Sequence, residues 1–277
     1  MKVFICFCLV FCLCPQARCA QPIAVDSNRV VLVADPHVFP GRVKRAKGFE
    51  ADTLEHFTNM VRDVTAMNPR PASVVFLGDL VEQPTVETYR LFRHLLTPLS
   101  EAGIPYHLLL GNHDQPALFF EVFPEWREKT KNTGSLAYRI ELPKVDFLTL
   151  ETTDQANHGG YYGKIDPDVR TWLQSELRRT PSKPVFIVGH HDVDFGKFYP
   201  DLAKEPNFQG WLNGHWHRYL QKKTPEGVRV FWLPSLGFMD WGENPVTGYV
   251  LLHVGQKDFT MTLIANPRTD TIPFLVP

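Results

Sequence analysis

Five short apolar runs recur along the chain, and each one ends in a polar cluster. Runs of β-branched and aliphatic residues are typical of strands that are buried on both faces. In four of the five runs a glycine comes directly before the first polar residue, which allows the backbone to turn sharply there. The pattern therefore predicts five buried strands that end in functional loops: RVVLVADPH, SVVFLGDL, HLLLGNHD, PVFIVGHHD and WLNGHWH.

Helical spacing and alternation predict the elements around these strands. Pro84 is expected to open a helix that reaches about Leu99, and Pro167 a second one with Val169, Trp172, Leu173 and Leu177 on one stripe. After residue 211 the pattern alternates as in strands, with a hairpin turn at Gly255–Asp258. A further helix is predicted between the first two runs, where the apolar positions are Leu54, Phe57, Met60, Val61, Val64 and Met67.

This order of elements predicts an α/β fold. Strand–helix units come first and a mostly antiparallel sheet follows, which indicates two sheets packed face to face as a β-sandwich with helices outside, in four layers α/β/β/α. No repeat, low-complexity tract or Gly/Ser-rich linker interrupts the chain after the first twenty residues. We therefore expect residues 21–277 to form a single catalytic domain.

The first twenty residues have the pattern of an export signal. Lys2 precedes a twelve-residue apolar run, Val3–Cys14, and small residues follow the break at Pro15. A membrane anchor is the alternative, but spanning a bilayer takes about 20 apolar residues. A lipid-anchored Cys19 is disfavoured because Arg18 precedes it. We expect cleavage after Cys19 or Ala20 and a secreted or periplasmic protein.

Composition narrows the chemistry of the mature chain. All five cysteines lie in the predicted signal, so neither disulfides nor thiolate ligands are expected beyond it. No second long apolar run occurs, and no transmembrane segment is expected after cleavage. The formal net charge of the whole chain is −1, whereas a general nucleic-acid binder would be basic. A nucleic-acid polymer is therefore not an expected partner.

The polar residues at the strand ends form a candidate metal site. Ligands in open α/β sheets collect at the carboxyl ends of strands, so these side chains should meet on one rim. Their oxygen and nitrogen donors suit Mn, Fe, Zn or Co. Seven residues supply eight contacts to two ions if one carboxylate bridges, and such a pair can hold a hydroxide between the ions. The seven are Asp35, His37, Asp79, Asn112, His190, His215 and His217.

The ordered motifs DPH, GD, GNHD, GHH and GHWH resemble the calcineurin-like metallophosphoesterase superfamily of binuclear metal phosphoesterases. The segment YYGKIDPDVRTWLQSEL resembles the helix that precedes the fourth motif in bacterial members, so the resemblance is to the bacterial branch that contains cyclic-nucleotide phosphodiesterases. It extends over roughly residues 28 to 264. A lone GD or D-x-H is uninformative, but five motifs in the family's order are specific.

The resemblance implies a role for each motif residue. His113 would stay unliganded and would donate a hydrogen bond to the substrate phosphate or protonate the leaving oxygen. Relatives with GDxxD support that histidine with the second acid. Glu82 stands there in this chain and is one methylene longer, which puts its support role in question. The implied ligands are Asp35, His37 and His217 for the first ion, Asn112, His190 and His215 for the second, and Asp79 as the bridge.

Other polar residues are less specific. His191 would point away from the site if the backbone around it were extended, because neighbouring side chains alternate, so His190 is preferred as the ligand. The remaining histidines are expected to be structural or surface groups: His56, His94, His107, His158 and His253. The tryptophans at 211, 216 and 232 are expected to serve in packing rather than to form a stacking platform.

Two loops are candidates for the border of the site. The basic loop 40–48 follows the first ligand pair and attracts anions if it overhangs the site; an ordinary solvated loop is the alternative. The Gly-rich stretch 152–163 has no phosphate-loop or dinucleotide spacing.

Together, these expectations predict that the protein hydrolyses a small phosphate ester, either a phosphodiester or a phosphomonoester. The nucleophile would be a hydroxide that bridges two divalent or transition metal ions. The alternative from another class is a secreted, metal-containing binding protein without catalysis. A different residue at position 113 or 112 would favour that alternative, but His113 and Asn112 are both present.

Overall fold

The computed structural model describes residues 24–44, 50–153, 163–193, 201–238, 246–256, 258–266 and 271–274. The predicted signal, residues 1–20, lies outside this range. The helices are α1 Thr53–Ala66, α2 Val86–Leu95, α3 Thr97–Glu101, α4 Pro116–Val122 and α5 Pro167–Arg179, with a 3-10 helix at Pro124–Thr130. The strands are β1 Val25–Val33, β2 Val43–Lys44, β3 Glu50–Ala51, β4 Arg70–Leu77, β5 Tyr106–Leu109, β6 Tyr138–Glu141, β7 Asp146–Leu150, β8 Val185–Gly189, β9 Phe208–Asn213, β10 Leu220–Lys223, β11 Arg229–Trp232, β12 Thr247–Val254, β13 Phe259–Asn266 and β14 Thr271–Phe274.

Two six-stranded sheets organise these elements. The first has the strand order β14-β13-β12-β1-β4-β5, and the second has the order β10-β11-β9-β8-β7-β6. Strands β2 and β3 form a separate two-stranded pair. The predicted α/β class, with two sheets and flanking helices, is confirmed.

The expectation that the C-terminal strands form a mostly antiparallel sheet of their own is wrong. Strand β12 pairs antiparallel with β1, so β12 to β14 extend the sheet that holds the first strand–helix units. Strand β11 instead pairs parallel with β9 in the second sheet. Both sheets therefore contain parallel and antiparallel strand pairs. Each sheet combines strands from distant parts of the chain, and the alternation within one strand does not indicate which strand it pairs with.

The core between the sheets is aromatic. Phe186 of β8 and Phe231 of β11 both contact Phe259 of β13, with ring centroids 4.8 Å and 5.8 Å apart. These side chains are buried. Offset and edge-to-face aromatic pairs contribute about 0.5–1.5 kcal/mol each beyond the burial of their area. The contacts join the two sheets directly and hold their strand ends in fixed relative positions.

Helices cover the outer faces of both sheets. Phe57 of α1 stacks on Phe76 of β4 with ring centroids 5.8 Å apart. The apolar stripe predicted for α5 is buried at Val169, Leu173 and Leu177 and packs in one cluster with strands β7, β8, β9 and β11. Both helices follow the predicted periodicity, because one apolar face of each lies on a sheet.

Most of the other predicted elements are confirmed, with one difference. The hairpin between β12 and β13 closes through a hydrogen bond from Gly255 N–H to Asp258 O of 2.8 Å. The helix expected from Pro84 begins at Val86, with Thr85 as its N-cap, and it is divided at Leu96 into α2 and α3. Among the described residues, no helix is long and apolar enough to cross a membrane.

Candidate metal centre

The carboxyl ends of five parallel strands meet at one rim of the two sheets. Each of these strands, β1, β4, β5, β8 and β9, is followed by one of the predicted polar clusters. The rim lies where β1 and β4 of one sheet approach β8 and β9 of the other. All seven predicted ligands meet there. Six of them fall into overlapping groups whose donor atoms lie within 4.8 Å of one another, and the seventh, Asn112, contacts His190 and His215.

The first group consists of Asp35, His37 and His217. The Nε2 atoms of the two histidines are 3.3 Å apart, and Asp35 Oδ1 lies 3.4 Å from His217 Nε2. All three side chains are buried. A buried carboxylate beside two inward-facing imidazoles is costly unless a cation or a set of hydrogen bonds compensates its charge, so the donor set fits a metal ion.

The second group surrounds the side-chain oxygen of Asn112. His190 Nε2 lies 3.2 Å from Asn112 Oδ1, and His215 Nδ1 lies 2.9 Å from it. His190 Nδ1 donates a hydrogen bond of 2.8 Å to Leu77 O, which leaves its Nε2 lone pair directed at the group. A carbonyl on the far nitrogen is the usual support of a metal-binding histidine.

Asp79 connects the two groups. Its Oδ2 lies 3.5 Å from His37 Nε2 and 3.3 Å from His190 Nε2, while Oδ1 accepts a hydrogen bond of 2.8 Å from His113 N–H. The same carboxylate oxygen thus faces both groups. This is the placement that a bridging ligand of two ions requires.

The backbone is strained at this rim and nowhere else among the described non-glycine residues. Five of them have a positive φ, between 44° and 65°, and all five are predicted ligands: Asp35, His37, Asp79, His215 and His217. Such conformations cost about 1–3 kcal/mol each where the surroundings enforce them, and they concentrate at functional sites. Their coincidence with the ligand set is an observation independent of the side-chain distances.

The charges in the cluster favour cation binding. Burial raises the pKa of Asp79, but the neighbouring histidines outweigh burial and hold it well below its usual range. Burial lowers the pKa of His215 to about 4, with His190 as the next cause. Burial by itself lowers the pKa of His190, but the carboxylates of Asp79 and Asp35 outweigh burial and raise the pKa above its usual value, to about 9. An ionised carboxylate and neutral imidazoles are the forms that bind metals, and a cation can replace the proton of His190.

His113 lies beside the two groups and is more open to solvent than His37 and His217. Its side chain is 30% exposed, compared with 1% for His37 and 4% for His217. Its Nδ1 donates to Glu82 O at 3.1 Å, which turns Nε2 outwards from the loop. The placement agrees with a group that contacts substrate rather than a buried ligand.

Glu82 lies between His37 and His113. Its Oε2 is 2.9 Å from His37 Nδ1 but 3.7 Å from His113 Nδ1, which is too long for a hydrogen bond. The carboxylate therefore supports His37, while the backbone carbonyl of the same residue supports His113.

His191 does not point away from the site as its position next to His190 suggested. Strand β8 ends at Gly189, so the two histidines follow the strand on a bend and alternation does not apply. His191 Nε2 lies 3.1 Å from Asn112 Oδ1, and its ring is 4.5 Å from that of His215. The residue is 1% exposed.

Asp114 completes the GNHD loop as a structural residue. Its Oδ2 accepts hydrogen bonds from Leu80 N–H and Gly111 N–H at 3.1 and 2.9 Å, and its Oδ1 accepts one from the Tyr89 hydroxyl at 3.0 Å. The loop after β5 is thereby tied to the loop after β4. Burial, with Asp79 next, raises the pKa of Asp114 to about 7.

Asp192 is a supporting residue that the sequence pattern did not single out. Its carboxylate accepts hydrogen bonds from Asn213 Nδ2 at 2.5 Å, Trp232 Nε1 at 2.8 Å and Trp216 Nε1 at 3.0 Å. Trp216 stands between His215 and His217 in the chain, so Asp192 holds the loop that carries both. Trp211 is fully buried, which confirms its packing role.

The remaining histidines are structural or surface groups where they are described. His56 donates to Gly237 O at 2.8 Å, and His94 and His253 are exposed. Burial lowers the pKa of His107 to about 4. His158, most of the stretch 152–163 and part of the basic loop 40–48 lie outside the described residues.

Gly111→Ala is expected to remove metal binding and to lower the free energy of unfolding by about 1–3 kcal/mol. A Cβ at this position collides with the Oδ1 and backbone N of Asp79, so the bridging carboxylate must move. Metal analysis and urea unfolding measure the two effects. Gly134→Ala is the control, because its Cβ meets no atom within 4 Å although φ is +73°. A variant at Gly111 that keeps its metals contradicts the prediction.

The chain matches the family model described as calcineurin-like phosphoesterase over residues 28–219. It is 28% identical over 168 residues to the Probable glycerophosphodiester phosphodiesterase GpdQ of Arcobacter nitrofigilis, a match that covers 58% of this chain and 56% of that protein. It is 28% identical over 203 residues to the glycerophosphodiester phosphodiesterase GpdQ of Enterobacter lignolyticus, covering 72% of this chain and 67% of the relative. The matched region thus spans between about half and two thirds of these relatives.

A solved structure shows the same fold. The dimetal phosphatase from Danio rerio superposes with a TM-score of 0.66 at 14% sequence identity, covering 91% of this chain and 99% of the other. At this identity the likeness concerns the fold alone. The family match includes all five motifs, the last at residues 214–217, and extends over more than half of the chain. The chain therefore belongs to the calcineurin-like phosphoesterase family.

Proposed function

We propose that this chain hydrolyses phosphate esters with two divalent or transition metal ions held at the rim. The observation that carries the proposal is the position of Asp79 Oδ2, within 3.5 Å of a ligand nitrogen in each of the two groups. The proposed first ion is held by Asp35, His37 and His217, and the second by Asn112, His190 and His215, with Asp79 shared.

The metal pair supplies a nucleophile and charge neutralisation. Two bound ions lower the pKa of a water from about 15.7 to near 7 and neutralise phosphoryl oxygens. The protein residues hold this centre in position. Glu82 orients His37, Leu77 O orients His190, and Asp192 holds the loop of His215 and His217 through Trp216. With Nδ1–H on Glu82 O, only the doubly protonated ring of His113 carries a proton on Nε2, and in that form His113 donates it to the phosphate or to the leaving oxygen.

The proposed substrate is a small phosphodiester. The relatives above are named for glycerophosphodiesters, and a further one from Nostoc sp., 25% identical over 166 residues, is named a 3',5'-cyclic-nucleotide phosphodiesterase. A phosphomonoester is the second candidate, favoured by the fold shared with a dimetal phosphatase. The metal groups by themselves do not distinguish the two classes.

An activity screen tests this function. The purified chain, loaded in turn with Mn, Fe, Co and Zn, is assayed on bis-p-nitrophenyl phosphate, p-nitrophenyl phosphate, a glycerophosphodiester and a cyclic nucleotide. We expect metal-dependent turnover, faster with diesters. Faster turnover of the monoester would reverse the substrate assignment. Two bound ions without turnover of any substrate would support a metal-containing binding protein instead.

Metal loading is expected to give about two ions per chain and to raise the melting temperature by about 10–20 °C when free metal is 100-fold above the Kd of both sites. The physical reason is that the ions bind the folded rim and compensate its buried carboxylates. Metal analysis and thermal unfolding with and without chelator measure both effects. A chain that takes up no ion after loading would refute the binuclear centre.

We also propose that the chain is exported and cleaved near residue 20. The support is the order of charged, apolar and small residues in the first twenty positions. Expression of the full chain in a bacterial host with N-terminal sequencing of the exported product tests the idea. The expected first residue is Ala20 or Gln21. Retention of Met1 on a cytoplasmic product would count against export.

A further inference from the structure

His191 is placed among the ligands of the second group as closely as the residues assigned to it. Its Nε2 lies 3.1 Å from Asn112 Oδ1, between the 2.9 Å of His215 Nδ1 and the 3.2 Å of His190 Nε2. The ligand atoms of the three histidines lie within 4.8 Å of one another. By position, the three imidazoles are equivalent.

Three ring nitrogens lie within 3.2 Å of one amide oxygen, which has only two lone pairs. Donors that bind one ion at about 2.1 Å in a tetrahedral site are about 3.4 Å apart, and they are closer where the ion has more ligands. The three distances to Asn112 Oδ1 therefore fit donors that share one cation.

Thr152 orients the His191 ring for this role. Its Oγ1 lies 3.1 Å from His191 Nδ1 and accepts a hydrogen bond of 3.0 Å from the backbone N–H of the same residue. If Nδ1–H donates to the second lone pair of the hydroxyl, the Nε2 lone pair faces Asn112. A hydrogen-bonded partner on the far nitrogen is the usual support of a metal-binding histidine.

Gly163 packs against the Cβ of His191. Its N–H donates to Asp192 O at 2.7 Å, and a Cβ at this position would lie 2.6 Å from His191 Cβ and 3.1 Å from Thr152 Cβ. The backbone of Gly163 therefore packs closely against His191 and Thr152. His191 is 1% exposed, and its ring faces the cluster, where it contacts Asn112 and His215.

We propose that His191 Nε2 is an additional ligand of the second metal ion, an inference that rests on the proposed binuclear centre. The second ion is then bound by three imidazoles, whereas the first has two. A nitrogen-rich site favours borderline ions such as Fe, Co and Zn over Mn or Mg. The second ion has the protein ligands Asp79, Asn112, His190, His191 and His215.

Metal affinity tests the role. Chelator competition with zinc and with cobalt is measured on the full-length chain and its variants. His191→Ala is expected to weaken binding of the second ion at least about 100-fold, and Thr152→Val, which removes only the orienting hydroxyl, about 10-fold. The first ion keeps its affinity, and His253→Ala, an exposed histidine of β12, changes neither. Unchanged second-ion affinity in His191→Ala would overturn the proposal.

A direct observation in the unmutated chain avoids the possibility that a variant misfolds. Histidine labelled with nitrogen-15 reports by NMR which ring nitrogen carries a proton and which binds zinc; the missing signal of His191→Gln identifies the residue. We expect a zinc-bound Nε2 and a protonated Nδ1 for His191. A protonated Nε2 in a chain that holds two zinc ions would refute this ligand and leave the proposed function intact. A chain that takes up none of Zn, Co, Fe and Mn would refute both.

Discussion

Asp79→Ala is expected to lose both metal ions and to reduce phosphodiester turnover by about 1,000-fold or more. Its Oδ2 faces His37 Nε2 and His190 Nε2, so removal of the carboxylate takes one ligand from each ion at once. Loss of Oδ1 also frees the N–H of His113, from which it accepts a hydrogen bond of 2.8 Å. Metal content and the rate on bis-p-nitrophenyl phosphate measure the effect.

Two further variants separate charge from shape in this prediction. Asp79→Asn keeps an oxygen for the His113 N–H but removes the charge, and we expect it to lose metal nearly as completely. Asp201→Ala, which changes an exposed carboxylate far along the chain, should keep both ions and full turnover. Two tightly held ions in Asp79→Ala would show that the two groups do not share this ligand.

His113→Ala is expected to keep both ions and to lose about 100- to 10,000-fold in turnover. The side chain is 30% exposed beside the buried donors, and Glu82 O accepts its Nδ1–H at 3.1 Å. Its Nε2 is therefore available to a substrate, whereas none of the proposed contacts to the two ions needs this ring. Metal analysis alongside steady-state rates checks both halves of the expectation.

The leaving group determines what His113 does. If the histidine protonates the leaving oxygen, the loss in His113→Ala is small for a nitrophenolate and large for an alkoxide, because only the alkoxide needs the proton. An equal loss with both substrates would leave electrostatic stabilisation of the phosphate as its role. His94→Ala, an exposed histidine of α2, is the matched control. Metal loss in His113→Ala would make His113 a ligand and contradict the assignment.

The predictions that were confirmed depend on local pattern. The apolar stripe of α5 and the hairpin at Gly255 follow from periodicity and turn chemistry within a few residues. The convergence of the motif residues followed from a general rule about the carboxyl ends of strands. In each case the prediction uses interactions between residues that are close in the sequence, or a rule that holds for all sheets of this class.

What the sequence pattern got wrong or missed depended on the exact end of an element or on distant partners. His191 was placed on the wrong side because β8 stops at Gly189, and alternation holds only while the backbone stays extended. The support from Asp192 requires Trp216 and Trp232, which reach it from later parts of the chain. Neither the end of β8 nor the contacts of Asp192 can be inferred from residue spacing.

The sequence was sufficient to predict which side chains line the rim, because five buried strands are followed by Asp, Asn or His and the carboxyl ends of such strands meet at one rim. How these donors are divided into two groups and supported became visible only in the folded chain. Tertiary structure placed Asp79 between the two groups, turned the Glu82 carboxylate towards His37 and brought His191 to Asn112. The reason is physical: these relations are distances of about 3 Å between atoms from different strands, set by the packing of two mixed sheets.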